Sequence, residues 1–332
     1  MLPSDTRPRS MRAPVRNDEL DVLVVGDYCL DLIFTGLPSL PELGKEIVAS
    51  GFEQIPGGAY NTAVALHRLG VRVAWATDFG TDAYSQFVLG RARAEGLDER
   101  GFVHHARPLR NLTVAASFPQ DRAFLAYYDP APALPAAAKA LATLRARVLY
   151  VPGLYAGPLL NAALLIVRAK RMQLVMDGNS YESARMSSPR LRRALGAVDI
   201  LMPNAAEAFR LTGEVDLLRA LHVLGSRTPL VVIKDGAGGA YGLEKGEIVH
   251  SPALRLTPLD TTGAGDVFDA SFLAARLEGR PLVECLLWGS IVGGLSTLGA
   301  GGTGRVVTRQ EVDARLASLH PHVTLAPSQD RR

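Results

Sequence analysis

The sequence is poor in cysteine and in aromatic residues, and each shortage excludes a class of protein. Only two cysteines, Cys29 and Cys285, occur in 332 residues, and both lie in apolar stretches. This excludes a disulfide scaffold and favours two buried, reduced thiols, with a single disulfide as the alternative. Aromatic residues make up 6% of the chain, so we expect no surface on which nucleic-acid bases stack.

An excess of either charge is also missing, since 36 Lys and Arg stand against 33 Asp and Glu. Four of the arginines, Arg7, Arg9, Arg12 and Arg16, lie in the first eighteen residues, so the body is near neutral and no nucleic-acid partner is expected. No run reaches the roughly 18 apolar residues of a membrane span, so no membrane partner is expected. Residues 1–19 lack the apolar segment of a secretory signal, which predicts a disordered tail on a cytoplasmic protein, with a transit peptide as the alternative.

Hydrophobic residues, by contrast, make up 48% of the chain, enough for a large core. Short apolar strands alternate with helical segments, which predicts an α/β fold with a mostly parallel central sheet. Strands are predicted at 20–25, 71–76, 148–151, 173–176, 200–202 and 231–234, and helices at 63–69, 83–95, 141–147, 159–170, 267–277 and 282–298. The predicted domain covers residues 20–320, followed by a C-terminal tail at 321–332.

Two segments, near 34–56 and 104–128, alternate apolar and polar residues instead, which is typical of hairpin strands. Inserted into an α/β chain, they predict a small antiparallel sheet that stands off the main body. Such a sheet would serve as a lid that excludes water from a site beneath it.

The most informative stretch is residues 260–272, D-T-T-G-A-G-D-V-F-D-A-S-F. Gly263, Ala264 and Gly265 supply a tight turn at the start of an apolar helix, where unpaired amides bind anions such as phosphate. Asp266 lies beside those amides. A carboxylate at a phosphate site makes chemical sense if it accepts the proton of an attacking hydroxyl, and such a base must be ionised, so it needs no raised pKa. The alternative is an ordinary helix cap after an ordinary turn.

Polar residues also follow the first strand and a second glycine-rich turn. Asp27 and Asp31 come after the strand at 20–25, where open α/β sheets bind ligands, and carboxylates there can hold hydroxyls. Gly57 and Gly58 allow the backbone to approach a ligand, and Asn61 can donate and accept hydrogen bonds at once. Caps and turns are the alternative for the aspartates, as they are for Asp177 and Asn179 after a later strand.

The string D-T-T-G-A-G-D-x-F resembles the C-terminal signature of the ribokinase (PfkB) family of carbohydrate kinases, and Gly57-Gly58 with Asn61 is similar to its N-terminal signature. The resemblance covers about residues 20–320. It implies a ribokinase-like three-layer α/β/α sandwich with a small β-sheet lid. It also implies that Asp31, with Asp27 as second candidate, Gly57, Gly58 and Asn61 bind the acceptor, and that Asp266 is the base beside the amides of residues 263–265.

Two further segments resemble the family's nucleotide site. Asn204 and Glu207 match an Asn-x-x-Glu pattern by the phosphates, where Glu207 would hold Mg²⁺ through water, although the same spacing is a capping pattern. Lys234, Gly236 and Gly239 match a nucleotide loop, with Lys234 either reaching the phosphates or solvated at the strand end. The resemblance also implies a monovalent cation, K⁺, near Asp260 and Thr262.

Two other glycine motifs resemble known nucleotide-binding patterns but do not fit them. Residues 299–304 fit G-x-G-x-x-G, but they follow a helical stretch and not a strand, so a dinucleotide site is not expected. Gly44-Lys45 lacks the other residues of a P-loop.

The resemblance, together with these residues, implies an ATP- and Mg²⁺-dependent kinase that phosphorylates a hydroxyl of a sugar. A nucleoside kinase is the alternative, with Tyr28, Tyr60, Phe124 and Tyr127 lining a base pocket, and a non-catalytic binding protein is a third reading. A sugar phosphate could be held by Arg107, Arg110 and Arg122. The free edge of the lid suggests a homodimer.

Overall fold

The fold is described from a computed structural model, which covers residues 19–118, 122–130, 135–157, 160–179, 185–319 and 324–325. The predicted N-terminal tail, apart from Glu19, lies outside the described residues. So does the predicted C-terminal tail, apart from Thr324–Leu325, which form a short strand.

A large sheet forms the centre of the molecule. Its strands are, in chain order, β1 Leu20–Val25, β4 Val73–Phe79, β5 Phe102–His104, β8 Ala146–Val151, β9 Gln173–Asp177, β10 Ile200–Met202, β11 Leu230–Lys234, β12 Ala240–Glu244, β13 Glu247–Ser251 and β14 Thr324–Leu325. They are ordered β14-β13-β12-β11-β10-β9-β8-β1-β4-β5. Every pair from β5 to β11 is parallel, and β12, β13 and β14 add antiparallel strands at one edge. This confirms the mostly parallel sheet.

Helices cover both faces of this sheet. They are α1 Ala59–Arg68, α2 Ala83–Ala94, α3 Pro135–Thr143, α4 Leu160–Ala169, α5 Pro189–Leu195, α6 Ala205–Thr212, α7 Leu217–Gly225, α8 Ala264–Leu277, α9 Leu282–Ser296 and α10 Arg309–Leu319. Alternate residues of a strand point to opposite faces. In β1, Val22 and Val24 accordingly join the core beneath α1, α8 and α9, whereas Leu23 and the partly buried Val25 join the core beneath α4 to α7. The three-layer α/β/α prediction is confirmed.

A second, smaller sheet stands apart from the first. It contains β2 Tyr28–Thr35, β3 Gly51–Gly58, β6 Asn111–Ser117 and β7 Arg122–Tyr128, in the order β3-β2-β6-β7. The two hairpins, β2 with β3 and β6 with β7, are antiparallel, but β2 and β6 run parallel where the hairpins meet. The prediction of an antiparallel sheet is therefore wrong for the central pair, because two separate hairpins join side by side. We call these four strands the lid.

Several element boundaries differ from the prediction. The lid begins at Tyr28, before the predicted 34, because only Gly26 and Asp27 separate β1 from β2. Helix α1 begins at Ala59, four residues before the predicted start at residue 63, because Gly58 adopts a positive φ of 65° and turns the chain into the helix there. Helix α3 ends at Thr143, whereas the prediction placed a helix at 141–147.

Both cysteines are buried and free, as predicted. Within the described ranges, no helix combines the length and the apolar character needed to cross a bilayer.

Candidate active site

The carboxyl ends of the parallel strands meet at one edge of the large sheet and bring polar residues together. Asp27 follows β1, Asp177 ends β9, Asn204 follows β10 and Lys234 ends β11. Helix α8 starts at the same edge, since the Nζ atom of Lys234 contacts the Asp269 carboxylate in that helix. This is the position at which open α/β sheets bind ligands.

The turn into α8 depends on Gly263, which precedes the helix with φ 73° and without a side-chain cap. A Cβ atom there would lie 2.6 Å from Asn61 Nδ2 and 2.7 Å from the Cα atom of Gly302. Only glycine therefore fits both the backbone conformation and the space. The turn is held against α1 on one side and against the loop at 299–304 on the other.

The amides at the start of α8 are only partly those predicted to bind an anion, residues 263–265, and the anion site stays a prediction. Ala264 donates a long bond of 3.3 Å to the Thr261 carbonyl. In the described part of the chain, the amides of Gly265 and Asp266 have no hydrogen-bond acceptor, and Gly265 is exposed. The partial positive charge of a helix start therefore faces solvent beside the Asp266 carboxylate.

Asp266 itself accepts a hydrogen bond from Asn61 Nδ2 at 3.0 Å. Burial raises the pKa of Asp266 to about 7; the Asn61 bond and Lys234 act in the opposite direction, and the nearby Asp177 and Asp31 carboxylates add to the rise. No raised pKa was expected for Asp266 from the sequence, and the structure differs because the carboxylate is buried near other acids.

Asp260 at the start of the signature holds two loops together. Its Oδ1 atom accepts bonds from the amide and the hydroxyl of Thr262, at 2.9 and 2.8 Å, and its Oδ2 atom accepts one from the Gly301 amide at 2.8 Å. The G-x-G-x-x-G segment, which follows helix α9 as predicted, is thus a wall of this site. The K⁺ site predicted at Asp260 and Thr262 stays a prediction.

The residues predicted to bind the acceptor also converge. Gly57 lies against Asp31, where a Cβ atom would come within 2.3 Å of Asp31 Oδ2, and Gly58 lies against the Asp27 carbonyl. Burial, with the Asp260 charge as a smaller cause, raises the pKa of Asp31 to about 6. Burial and the Asp78 charge likewise raise the pKa of Asp27 to about 6. Their role in binding stays a prediction.

The suggested base pocket does not form from its tyrosines. Tyr28 and Tyr60 are buried in the core, where Tyr28 stacks on Phe79 and Tyr60 packs edge-on against Trp75. Their place in that pocket is wrong because each lies on the core side of its element. Phe124 and Tyr127 are exposed on the lid.

The arginines proposed for a sugar phosphate have other partners. Arg110 forms an ion pair with Asp129 at 2.9 Å, and Arg107 donates to the Pro130 carbonyl at 2.8 Å. The side chain of Arg122 lies outside the described part of the structure.

On the nucleotide side, Asn204 and Glu207 form a complete capping box at the start of α6. Burial and the neighbouring Asp177 charge raise the pKa of Glu207 to about 7, and Gly178 brings the backbone close to Glu207 Oε2. A single partly buried carboxylate at this position fits a hard cation bound largely through water, which needs few direct ligands. No cluster of three or more possible metal ligands is found in the described ranges.

Lys234 is neither solvated nor open. Its Nζ atom donates to Asp177 Oδ1 at 3.2 Å and to both carboxylate oxygens of Asp269, at 2.9 and 3.1 Å. The predicted phosphate contact stays a prediction, and the donors that it would need are already engaged. Gly236 is exposed with φ 50°, whereas Gly239 is buried against the Ser251 carbonyl and serves the turn into β12.

Asp269 and Tyr150 were missed by the sequence analysis. Asp269 is fully buried in α8, and its Oδ2 atom accepts a hydrogen bond from the Tyr150 hydroxyl at 2.9 Å. The sequence did contain an indication of this pair: Asp269 is an acid within the apolar run of α8, and a buried acid requires a partner.

Comparison with known proteins gives consistent results. The family model described as pfkB family carbohydrate kinase matches residues 19–308. A ribokinase of Bacillus subtilis is 26% identical over 90% of this chain and 99% of its own length. A fructokinase of Rhizobium leguminosarum bv. trifolii is 31% identical over 76% and 79%, and a cytidine kinase of Thermococcus kodakarensis is 28% identical over 81% and 93%.

Solved structures share the fold. Arabidopsis thaliana ribokinase in complex with ribose and ATP superposes with a TM-score of 0.74 at 20% identity, covering 90% of this chain and 99% of its own. A putative ribokinase II from E. coli in complex with ATP and Mg²⁺ superposes with a TM-score of 0.73 at 20% identity, over 90% and 99%.

Proposed function

Because the chain belongs to the pfkB family of carbohydrate kinases, we propose that it transfers the γ-phosphoryl group of ATP to a hydroxyl of a sugar. Members of this family are phosphotransferases with an alcohol group as acceptor, and this chain is one of them. The observation that carries the proposal is the Asp266 carboxylate beside the open amides of Gly265 and Asp266. A base and an anion site share one position, as phosphoryl transfer to a hydroxyl requires.

The reaction then follows from the placement of these groups. Asp266 takes the proton of the acceptor hydroxyl as its oxygen attacks the γ-phosphorus, the bond to the bridging β,γ-oxygen breaks, and ADP leaves. The open amides of residues 265 and 266 stabilise the charge on the transferred group. Glu207 would hold the waters of Mg²⁺, which would supply neutralisation of the phosphate charge when bound.

The acceptor that fits this cleft carries hydroxyls and no negative charge. The charged residues that shift the pKa values of Asp31 and Asp27 are Asp260 and Asp78, both carboxylates. Arg110 and Arg107 are engaged elsewhere. A phosphate or carboxylate on the acceptor would meet like charge there, whereas hydroxyls would donate to it.

A nucleoside acceptor is the second candidate, and the similarity to a cytidine kinase keeps it in the test. The burial of Tyr28 and Tyr60 favours a sugar, because neither ring reaches the cleft. A non-catalytic binding protein is the least favoured reading, since an intact Asp266 beside the open turn argues against it.

The test is a panel assay with ATP and Mg²⁺ that follows ADP release and acceptor phosphorylation. Neutral sugars should be phosphorylated, nucleosides weakly or not at all, and sugar phosphates and sugar acids not at all. Turnover that prefers phosphorylated sugars would contradict the neutral acceptor, and no phosphorylated product from any acceptor would contradict the kinase. Replacing Na⁺ by K⁺ in the same assay tests the predicted cation.

We also propose that two copies pair through the lid. Among the described residues, the outer strands β3 and β7 pair with a strand on one side only. The lid also carries three large exposed apolar residues, Phe52, Leu125 and Tyr127. Sedimentation should show a dimer that Leu125→Glu dissociates, while Leu165→Glu, at an exposed leucine of helix α4, should not. A monomer at all concentrations would contradict this.

The two buried, reduced cysteines support the predicted cytoplasmic location.

A further inference from the structure

A buried charge network lies directly beneath the candidate base. Lys234 Nζ contacts Asp269 at 2.9 and 3.1 Å and Asp177 at 3.2 Å, and the Tyr150 hydroxyl donates to Asp269 at 2.9 Å. Asp269 and Tyr150 are fully buried. One carboxylate of α8 is thereby joined to the ends of three strands, β8, β9 and β11.

The network lies against the turn that carries the chemistry. Asp269 follows Asp266 by three residues, which is close to one helical turn. A Cβ atom on Gly265 would lie 3.6 Å from Lys234 Nζ, so the ammonium group lies under the first turn of α8. A buried ion pair seldom stabilises a fold more than apolar residues of similar volume would. We therefore expect the Lys234–Asp269 pair to act through the geometry that it fixes at the start of α8.

Lys234 has no donor left for a phosphate in this arrangement. An ammonium group has three N–H bonds, and the three contacts to carboxylate oxygens use all of them. The carboxylates of Asp177 and Asp269 outweigh the effect of burial and raise the pKa of Lys234 above its ordinary value, so the side chain is charged.

On the basis of the proposed role of Asp266, we propose that Lys234 is a positioning residue for the base. Its ion pair with Asp269 fixes the first turn of α8 against the sheet, and its positive charge behind that turn favours the ionised carboxylate of Asp266.

The groups around Asp266 make this charge measurable. Asn61 of α1 donates a hydrogen bond to it, Asp31 of β2 and Asp177 of β9 oppose its ionisation, and Lys234 of β11 favours it. In the described residues, Lys234 is the one cation among these neighbours. The Tyr150 hydroxyl and the Asp269 carboxylate complete the set on the core side.

The test compares Lys234→Met with Asp269→Asn, because the two changes remove charges of opposite sign from one ion pair. Lys170→Met is the matched control for the lysine, since Lys170 donates to backbone carbonyls near the end of α3. Asp21→Asn is the control for the aspartate, since Asp21 pairs with Arg72 at the other end of β1. For each protein, kcat, both KM values and the pH dependence of kcat/KM are measured.

Lys234→Met should lower kcat about 100-fold and move the acid limb of kcat/KM up by about one pH unit. Asp269→Asn keeps the shape of the side chain and one oxygen that can accept from Tyr150 and Lys234, but its NH₂ group cannot accept the second bond from Lys234. The kcat should therefore fall about fivefold while the acid limb moves down by about half a pH unit. In both variants the KM for ATP should stay within about twofold of the wild-type value. In the two control variants kcat and both KM values should stay within the same range.

The same shifts should appear in a carboxyl-carbon NMR titration of the unliganded protein, with the Asp266 signal assigned through Asp266→Asn, so the result does not depend on finding the acceptor. The inference would be overturned if the pKa of Asp266 in Asp269→Asn equalled that in the wild type. If Lys234→Met does not fold, Asp269→Asn alone decides. A KM for ATP raised more than tenfold in Lys234→Met with an unmoved acid limb would assign Lys234 to the phosphates instead. If Asp266→Asn kept full activity, the proposed function would fail instead, whatever the other variants showed.

Discussion

Asn61 Nδ2 donates a hydrogen bond to Asp266 Oδ2 at 3.0 Å, although the two residues lie 205 positions apart in the chain. The contact joins the glycine turn of α1 to that of α8. The amide oxygen of the same side chain, Asn61 Oδ1, is buried without a hydrogen-bond partner among the described residues. Since a buried acceptor without a partner is costly, this oxygen is suited to a hydroxyl donor held next to the base.

Asp266→Asn should abolish turnover and leave nucleotide binding intact. The amide has nearly the shape of the carboxylate but cannot accept the proton, so kcat should fall about 10²- to 10⁴-fold. Affinity for ATP, measured by calorimetry, should change less than about twofold. Asp313→Asn, an exposed position on α10, is the control. Wild-type activity in Asp266→Asn would remove Asp266 from the role of base.

The pH dependence of kcat/KM should show an acid limb near pH 7. Burial raises the pKa of Asp266 to about 7, and a base must be ionised to act, so activity is complete above this pH and lost as the pH falls below it. Each further pH unit of acidification should lower kcat/KM about tenfold. A profile that is flat down to pH 5 would show that Asp266 titrates at its ordinary value or is not the base.

Asn61→Ala should move that acid limb upward. The Asn61 hydrogen bond favours the ionised form of Asp266, so its loss makes the carboxylate harder to ionise, and the lost bond is worth about 1.5–3 kcal/mol for a charged acceptor. The KM of the acceptor should rise as well, whereas the KM for ATP should not. A rise in the KM for ATP alone would place Asn61 at the nucleotide.

Gly263→Ala should inactivate the enzyme, whereas Gly213→Ala should not. Both glycines adopt a positive φ, 73° and 80°, so each alanine costs about 1–2 kcal/mol of backbone strain. Only at Gly263 would the added Cβ also meet Asn61 and Gly302; at Gly213 nothing lies within 4 Å. Thermal unfolding and kcat separate the two effects, and equal losses of activity in both variants would contradict the packing argument.

Much of the site could be predicted because its chemistry is local in sequence. The turn at Gly263 to Asp266 requires glycine conformations and an adjoining helix, and both requirements are visible as a local residue pattern in the sequence. The parallel sheet is equally visible, because buried strands and crossover helices alternate. The lid was predicted as two hairpins, but their parallel junction was not, because the strand periodicity of each hairpin says nothing about its neighbour.

The sequence by itself determined the layers of the fold and the glycine turn before α8, since these follow from backbone conformation and from the period of the apolar residues. Only the tertiary structure decided which side chains meet: Asn61 with Asp266, Asp260 with Gly301, and Lys234 with Asp269 in place of solvent. It also decided the pKa of Asp266. Burial and neighbouring charges arise when distant segments come together, and no local pattern records them.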